Sequence, residues 1–144
     1  TWLEDGKSEK KCSVAEFIDK KLGKEKNLVR EIIVPEKELS FCVKRLARTS
    51  FEYGMFNLAV CGVMKDGAIE SPVIVVTETK DRVSRQTEAE AALAGKVLTD
   101  EVIRDAAGRV KVDFNADVNF GAEYKASMVG VYLRDALAEI AGRK

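Results

Sequence analysis

The sequence predicts an α+β protein in which an antiparallel sheet of three to four strands carries three helices packed on one face, as a two-layer sandwich. Two observations predict this fold. Apolar residues between Leu28 and Thr79 occur in alternating or unbroken runs separated by short turn signals, which is typical of strands. After Thr79 the apolar period lengthens from about 2 to about 3.6 residues, which is typical of helices. Strands followed by helices indicate an antiparallel meander with the helices packed on one of its faces.

The composition indicates one domain core and argues against two classes of partner. Of the 144 residues, 46% are hydrophobic, which is enough for one domain with its own core. The 24 basic and 24 acidic residues give a net charge of zero, whereas nucleic-acid binding usually requires a basic surface. No apolar run approaches the roughly 20 residues that a membrane-spanning helix needs. We therefore expect no nucleic-acid partner, no membrane span and a cytoplasmic location.

Two further features of the composition exclude several kinds of active site. The chain contains no histidine, so Ser-His-Asp triads, Cys-His pairs and histidine-ligated zinc are excluded within it. Its three cysteines are widely spaced without a C-x-x-C motif, which favours reduced thiols over a metal site or disulfides: Cys12, Cys42 and Cys61. The sequence has no glycine-rich phosphate loop. We therefore predict no metal site and no catalytic residue in this chain.

The first 36 residues predict one short helix and one strand. Residues 1–11 are polar and read as the ragged end of a longer polypeptide. Ser13 is placed to cap a helix from Val14 to Lys21, with Glu16 three residues later as its capping-box partner. The segment Leu28–Val34 is rich in β-branched residues and predicts a strand that stops at the following proline.

The next three strands are predicted by an alternating pattern, an unbroken apolar run and a hairpin signal. The alternation begins after Glu38 and defines two strand faces, one with Leu39, Phe41 and Val43 and the other with Ser40, Cys42 and Lys44. Phe56–Met64 is apolar almost throughout. Asp66-Gly67 then predicts a tight hairpin turn, and Val73–Thr77 is the returning strand. These segments together predict the antiparallel meander.

Three helices are predicted in the second half of the chain. Gln86–Ala94 is rich in alanine and glutamate and ends at Gly95. Thr99 is placed to cap a second helix, whose first turn carries two carboxylates. The third helix runs from about Gly121 to Ala141. Its apolar stripe, which we expect to pack on the sheet, consists of Val129, Leu133, Ala136, Leu137 and Ile140.

Two cations are the candidate functional residues that spacing alone suggests. Lys44 and Arg48 are four residues apart, so in a continuous strand they share a face with Cys42 and Leu46. They could contact an anionic cofactor or subunit, or they could keep an outer face solvated, and the spacing favours the solvated face. Carboxylates of the helical half, such as Glu88, are expected to be solvated and without an acid–base role.

Several segments, taken in their order and spacing, resemble one known family. In the strand half, the similar segments are Val14–Ile18 ("PL-x-D-F" in the family), Leu28–Pro35 ("E-L-L-x-E-I-x-I-P"), Phe41–Arg48 ("F-x-K-x-x-x-R") and Asn57–Val60 ("A-x-V-x-V-A"). In the helical half they are Thr87–Lys96 ("A-x-x-A-E-x-x-L-x-G") and Ala122–Met128 with Tyr132–Leu137 ("S-A-E-Y-R-x-x-M…L-x-R-R-A-L"). The chain thus resembles the C-terminal part of the FAD-binding (medium) subunit of molybdenum hydroxylases, a family that includes carbon monoxide dehydrogenases and xanthine dehydrogenases.

The resemblance implies a division of the chain and a role in electron transfer. Residues 1–36 would be the tail end of the FAD-binding domain, and residues 37–144 a CO dehydrogenase flavoprotein C-terminal-like domain. The intact subunit would relay electrons between iron–sulfur clusters and NAD or another acceptor. The iron–sulfur clusters would lie only in one partner subunit, and the molybdenum cofactor only in another, which binds molybdopterin. The alternative is a non-catalytic interaction domain that docks a partner subunit.

The resemblance also implies the flavin contacts. Lys44 would sit where the family's strand lysine approaches the flavin, and Val29, with Leu28 beside it, where a residue before the "I-x-I-P" strand touches the cofactor. The family's glycine-rich loops, which hold the FAD pyrophosphate, belong to an N-terminal FAD-binding portion and are not found in this sequence. We therefore expect FAD binding by the intact subunit and weak or no binding by this chain alone.

Overall fold

The chain divides into two units, which are described here one at a time. A computed structural model describes residues 1–4, 8–20, 27–34, 36–116 and 120–142. The N-terminal unit is Thr1–Lys37, and the C-terminal unit is Glu38–Lys144. The assignment of the first 36 residues to the tail end of a FAD-binding domain stays a prediction.

The N-terminal unit combines a small antiparallel sheet with one helix. Its strands are β1 (Trp2–Glu4), β2 (Ser8–Lys10) and β3 (Leu28–Val29), in the order β2-β1-β3. Helix α1 spans Val14–Asp19, and its first turn is capped as predicted, because the Ser13 hydroxyl accepts a hydrogen bond from the Glu16 N–H at 3.1 Å. The helix is shorter than predicted, because Lys20 is already its C-cap, and Lys21 lies outside the described residues.

The strand predicted from Leu28 to Val34 is wrong beyond Val29. Leu28 and Val29 pair with Leu3 and Trp2 of β1. The next two N–H groups, those of Arg30 and Glu31, both donate to the carbonyl oxygen of Thr1, at 3.1 and 3.3 Å, so the ladder ends there. The β-branched residues that follow have no assigned strand pairing in the described part of the chain, and the predicted end at the proline lies outside it.

The C-terminal unit contains the predicted antiparallel meander. Strands β4 (Ser40–Leu46), β5 (Phe56–Lys65), β6 (Ala68–Thr79) and β7 (Arg82–Arg85) pair in sequence order. A two-residue strand, β8 (Lys96–Val97), pairs with the start of β6. The α+β class and the antiparallel sheet are therefore confirmed. Strands β7 and β8 were not predicted, because each is short and polar and forms only against the long β6.

The hairpin between β5 and β6 is confirmed at Asp66-Gly67. Both residues have positive φ, 50° and 79°, which is the backbone that a two-residue hairpin of the right twist requires. Aspartate and glycine tolerate this left-handed region better than most residues. The turn sets the register that places Ile69 on the buried face of the sheet. One extra residue in β6, between the Val63–Glu70 and Cys61–Val73 pairs, then shifts the alternation so that Ile74 and Val76 are buried as well.

Three helices cover this face: α2 (Thr87–Leu93), α3 (Asp100–Gly108) and α4 (Ala122–Ile140). Helix α3 is capped as predicted, since the Thr99 hydroxyl accepts from the Val102 N–H at 3.3 Å. Helices α2 and α4 contact the sheet, and α3 packs between them. The predicted stripe of α4 is confirmed, with Ile140 partly buried and the other members fully buried: Val129, Leu133, Ala136 and Leu137.

The core of the C-terminal unit is completed by an aromatic cluster. The Phe56 ring lies 5.8 Å from that of Phe114 and 5.6 Å from that of Tyr132, centroid to centroid. Phe114 follows α3 in a segment without regular structure and is only 2% exposed. The three rings therefore join the sheet, this segment and α4, and such aromatic contacts add to the burial of apolar area.

The opposite side of the sheet is also apolar. Cross-strand pairs of β4, β5 and β6 align the side chains of this outer sheet face, which consists of Phe41, Val43, Ala59, Cys61, Val73 and Val75. Phe41 and Val43 are 73% and 59% exposed. A contiguous apolar surface of this kind is typical of an interaction site.

Candidate functional site

Strand β4 carries Lys44 on the face that the helices cover. Cys42, Lys44 and Leu46 alternate to the same side, and Cys42 and Leu46 are 4% and 8% exposed. The Lys44 side chain keeps 27% of its surface exposed, because β4 is the last strand on its side of the sheet. The prediction that Lys44 lies on a solvated outer face is therefore wrong. Alternation separates the two faces of a strand, but only the packing of the helices decides which face is covered.

Lys44 is bound to the end of helix α4. Its Nζ donates to Glu139 Oε2 at 2.7 Å, which joins residues 95 positions apart in the sequence. Glu139 lies in the last turn of α4, where the helix dipole disfavours a carboxylate, and this turn has no basic residue. Lys44 supplies the missing cation from the neighbouring strand. In this structure the Lys44–Glu139 ion pair connects the end of α4 to β4.

The surroundings of Lys44 favour its charged form. The hydrogen bond to Glu139 raises the pKa of Lys44 above its usual value, and the nearby charge of Asp135 acts in the same direction. Asp135 precedes Glu139 by four residues, so both carboxylates lie on one side of α4. Lys44 is consequently a cation at neutral pH, and it faces two acidic side chains.

Cys42 lies beside this ion pair on the same strand face. Burial raises the pKa of the Cys42 thiol above its ordinary value, and the positive charge of Lys44 only partly opposes this effect. The thiol is therefore neutral at physiological pH and is a poor nucleophile. The described cysteines are all unpaired with each other, in agreement with reduced thiols: Cys12, Cys42 and Cys61.

Arg48 does not share a strand face with Lys44, and that part of the prediction is wrong. Strand β4 ends at Leu46, whose carbonyl accepts from the Met55 N–H at 2.7 Å and closes the loop to β5. Arg48 lies within that loop and donates to Glu52, with its Nε 3.2 Å from Glu52 Oε2. The strand period therefore does not extend to Arg48.

The other two predicted flavin contacts belong to the N-terminal unit. Leu28 and Val29 form β3 and are 62% and 46% exposed. Val29 lines a cavity of about 390 Å³, with further apolar walls from α1 and the segment after β3: Val14, Phe17, Ile32 and Ile33. Leu28 does not line this cavity. A flavin contact by either residue stays a prediction.

A second cleft, of about 460 Å³, lies beside the β4–β5 loop and was not predicted. Arg45 lines it and donates to the Ser50 carbonyl at 3.2 Å, while Asn57 donates to Thr77 Oγ1 at 3.1 Å. Phe51 and Tyr53 project from the loop and are fully exposed. The signal that could have indicated this cleft is the pair of aromatic residues inside an otherwise polar loop.

Glu139 and Glu90 are two carboxylates with partners in the fold that the sequence did not indicate. Glu139 adjoins the apolar stripe of α4, where its charge was read as ordinary solvated surface. Glu90 is 8% exposed and accepts hydrogen bonds from Arg85 and from the backbone, so the expectation of solvated carboxylates in this helix is wrong for Glu90. For Glu88, with 59% of its side chain exposed, it is confirmed.

The described residues form neither a cluster of metal-ligating side chains nor a helix that could span a membrane. In those ranges no three Cys, Asp or Glu side chains come together in a group that could hold a metal ion. None of the helices in the described part of the chain is long and apolar enough to cross a membrane.

Known proteins similar to this chain include two medium subunits. The chain is 26% identical over 118 residues to the nicotine 6-hydroxylase medium subunit of Paenarthrobacter nicotinovorans, with 81% of this chain and 42% of that protein covered. It is 26% identical over 117 residues to the glyceraldehyde dehydrogenase medium chain of Sulfolobus acidocaldarius, with 79% and 42% covered. The chain therefore spans about two fifths of the length of these relatives.

Solved structures share the fold. Reconstituted CO dehydrogenase from Oligotropha carboxidovorans superposes with a TM-score of 0.73 at 25% identity, covering 83% of this chain and 43% of that one. A carbon monoxide dehydrogenase from Hydrogenophaga pseudoflava, which lacks the Mo-pyranopterin moiety of its cofactor, gives a TM-score of 0.70 at 24% identity, covering 81% and 40%.

The family assignment follows from the C-terminal unit. The family model described as the CO dehydrogenase flavoprotein C-terminal domain matches residues 41–140, which is most of the 144-residue chain. The matched range begins in β4 and ends with α4, so it contains the sheet, the three helices and the Lys44–Glu139 pair. The resemblance found in the sequence is confirmed, and this chain belongs to the CO dehydrogenase flavoprotein C-terminal domain family.

Proposed function

We propose that this chain is the C-terminal portion of an FAD-binding oxidoreductase subunit in a molybdenum hydroxylase complex. The subunit relays electrons between iron–sulfur clusters and NAD or another acceptor. The observation that carries this proposal is the family match over residues 41–140, together with relatives that are named medium subunits. The electron acceptor and the partner assembly are carried over from the resemblance.

In this proposal Lys44, Val29 and Leu28 contact FAD. The residues fit the group chemically, because Lys44 offers a partly exposed ammonium and Val29 an apolar wall. FAD, when bound, supplies reversible uptake of electrons. Lys44 places a positive charge where reduction adds negative charge, which stabilises the reduced form by Coulomb attraction. Val29 would shield an apolar edge of the cofactor from water, and Leu28 would lie beside it.

The proposal also assigns the partners. Residues 1–36 form the tail end of the FAD-binding domain, and residues 37–144 complete the subunit as its C-terminal domain. The glycine-rich N-terminal FAD-binding portion supplies the pyrophosphate site. Iron–sulfur clusters and the molybdenum cofactor lie in separate subunits of a cytoplasmic complex. Nucleic acid has no part in this function.

Titration with FAD tests the proposed cofactor role. Because the pyrophosphate-binding loops are not in this sequence, we expect this chain to bind FAD no better than millimolar, about −4 kcal/mol. A longer polypeptide with the N-terminal FAD-binding portion should bind orders of magnitude more tightly. In that polypeptide Lys44→Met should lower the flavin reduction potential, whereas Lys111→Met, at an exposed lysine paired with Glu88, should leave it unchanged. Equal potentials in both variants would contradict the flavin contact of Lys44.

A second candidate function is a non-catalytic interaction domain that docks a partner subunit, and the outer sheet face favours it. Phe41 and Val43 expose apolar surface on the side away from the helices. The double variant Phe41→Ser, Val43→Ser should then abolish co-purification with a partner subunit and leave FAD affinity unchanged. If the variant still assembles while Lys44→Met changes the flavin potential, the interaction-domain reading is wrong.

A further inference from the structure

The Lys44 ammonium already forms an ion pair with a carboxylate of its own chain. Glu139 Oε2 lies 2.7 Å from Lys44 Nζ, and Asp135 adds a second carboxylate charge on the same side of α4. One cation therefore faces two acidic groups. An anionic ligand that reached this edge of the sheet would meet a neutralised lysine and a neighbouring negative charge.

The pair is nevertheless placed where it can open. The side chains of Lys44 and Glu139 are 27% and 53% exposed, so water can solvate both groups when they separate. An exposed ion pair of this kind shifts an equilibrium by at most about fivefold. The lysine stem is flexible and its ammonium has three donors, which allows it to turn from one acceptor to another.

We propose that Glu139 is a positioning residue that regulates Lys44, holding its ammonium against α4 until a reduced, anionic flavin displaces the carboxylate. The proposal rests on the proposed function, because it takes the flavin as the displacing ligand. Glu139 competes with the ligand for one cation, so the charge of Lys44 reaches the cofactor only after the internal pair has opened. Affinity for the anionic ligand is lower by the amount needed to open the pair.

The first experiment examines the pair without flavin. Purified chain is treated with trace acetic anhydride near pH 8, and acylation of each lysine is quantified by mass spectrometry. Glu139→Gln keeps the side-chain shape and should increase acylation of Lys44 about twofold to fivefold. Glu88→Gln is the matched control, since Glu88 accepts from Lys111 Nζ at 2.8 Å, and it should leave Lys44 unaffected. Unchanged Lys44 acylation in Glu139→Gln would overturn the proposal.

The second experiment adds FAD, reduced with dithionite under anaerobic conditions so that its ring is anionic, to the same proteins at up to several times the expected millimolar dissociation constant. Glu139→Gln should tighten FAD binding about twofold to fivefold, and Lys44→Met should weaken it. In the double variant the effect of Glu139→Gln on FAD binding should vanish, because the proposed competition acts on the ammonium of Lys44. A tightening that persists in the double variant would show direct repulsion by Glu139 and would overturn the proposal.

The two experiments separate failure of this inference from failure of the proposed function. If Lys44→Met weakens FAD binding and Glu139→Gln has no effect, the flavin contact stands and the regulation by Glu139 is wrong. If Glu139→Gln increases the acylation of Lys44 but neither variant changes FAD binding, the ion pair is supported and the flavin contact of Lys44 is wrong. Displacement of Glu139 by the flavin is then wrong as well.

Discussion

The Glu90 carboxylate accepts the hydrogen bond of the Ile74 N–H that a neighbouring strand would otherwise accept. Glu90 Oε1 accepts a hydrogen bond from the Ile74 N–H at 2.9 Å, and the Ile74 carbonyl accepts from the Gln86 N–H at the same distance. Pairing between β6 and β7 begins one residue later, at Val75 and Arg85, so the Ile74 N–H has no backbone acceptor in β7. A side chain from α2 therefore satisfies a buried backbone donor where the chain leaves the sheet.

Arg85 holds the other side of this carboxylate. Its Nε lies 2.9 and 3.1 Å from the two oxygens of Glu90, whose side chain is only 10% exposed. The buried acid is thus paired with a cation and hydrogen-bonded to the backbone, as a buried charge requires. This explains in physical terms why a glutamate stands in a helix that otherwise buries alanine and leucine.

Glu90→Ala should destabilise the protein by about 1–3 kcal/mol, because it leaves the buried Ile74 N–H without an acceptor. Glu90→Gln keeps an acceptor oxygen and should cost less. Urea unfolding measures the difference, and hydrogen exchange of the Ile74 amide should accelerate in Glu90→Ala. Glu88→Ala, in the same helix with its side chain exposed, is the control and should stay within about 0.5 kcal/mol of the wild type. Equal effects at the two positions would contradict the structural role of Glu90.

Leu133→Ala should cost about 2–5 kcal/mol of unfolding free energy, the range for a buried leucine. Leu133 has 0% of its surface exposed and lies on the stripe of α4 that packs on the sheet. Leu39→Ala, at a residue 42% exposed, makes the same chemical change and should cost much less. Chemical denaturation of both variants measures the contrast, and a Leu133→Ala change below about 0.5 kcal/mol would mean that α4 packs through another face.

Gly62→Ala should destabilise the protein by about 1–3 kcal/mol through overpacking. A Cβ at position 62 would lie 2.6 Å from Ile69 Cγ1, and Ile69 is completely buried and has no room to move. Gly108→Ala is the matched substitution in open space at the end of α3, and it should be neutral or stabilising by up to about 1 kcal/mol. Thermal unfolding compares them; a neutral Gly62→Ala would show that β5 and β6 can separate locally.

The Lys44–Glu139 pair should contribute stability that depends on pH. The pKa of Lys44 is raised in the folded state, so the contribution is complete below the unfolded value of about 10.4 and is lost as pH rises through the higher folded value. A double-mutant cycle of Lys44→Met and Glu139→Gln should give a coupling of up to about 1 kcal/mol at pH 8, since both side chains are partly solvated. The coupling should disappear at strongly alkaline pH, and one that grows with pH would contradict the assignment.

Cys42 should be the slowest cysteine to alkylate in the native protein. It is 4% exposed and burial raises its thiol pKa, which lowers both access and thiolate fraction. Cys12 and Cys61 are only partly buried and should react first. Iodoacetamide labelling at pH 8 followed by mass spectrometry gives the order, and in denaturant the three rates should converge. Rapid native labelling of Cys42 would mean that β4 opens at the sheet edge.

Local features of the fold were predictable from the sequence because nearby residues produce them. The Ser13 and Thr99 caps each join a hydroxyl to a backbone N–H three residues later. The Asp66-Gly67 turn depends on the backbone freedom of two adjacent residues. The stripe of α4 follows from helical periodicity alone. The family motifs, read in their order, were likewise sufficient to identify the domain.

Only the tertiary structure decided which sheet face is covered and what Lys44 contacts. An alternating strand has two faces, and the sequence of β4 does not show that its more apolar face, with Phe41, is exposed while the face with Cys42 is buried. The partner of Lys44 is 95 residues away on α4, and the partner of Glu90 is a backbone N–H. Such contacts depend on the register of strands and the placement of helices, which sequence periodicity does not fix. The sequence therefore determined the long strands and the three helices of the C-terminal unit and the family, whereas packing determined the electrostatic surroundings of the candidate site.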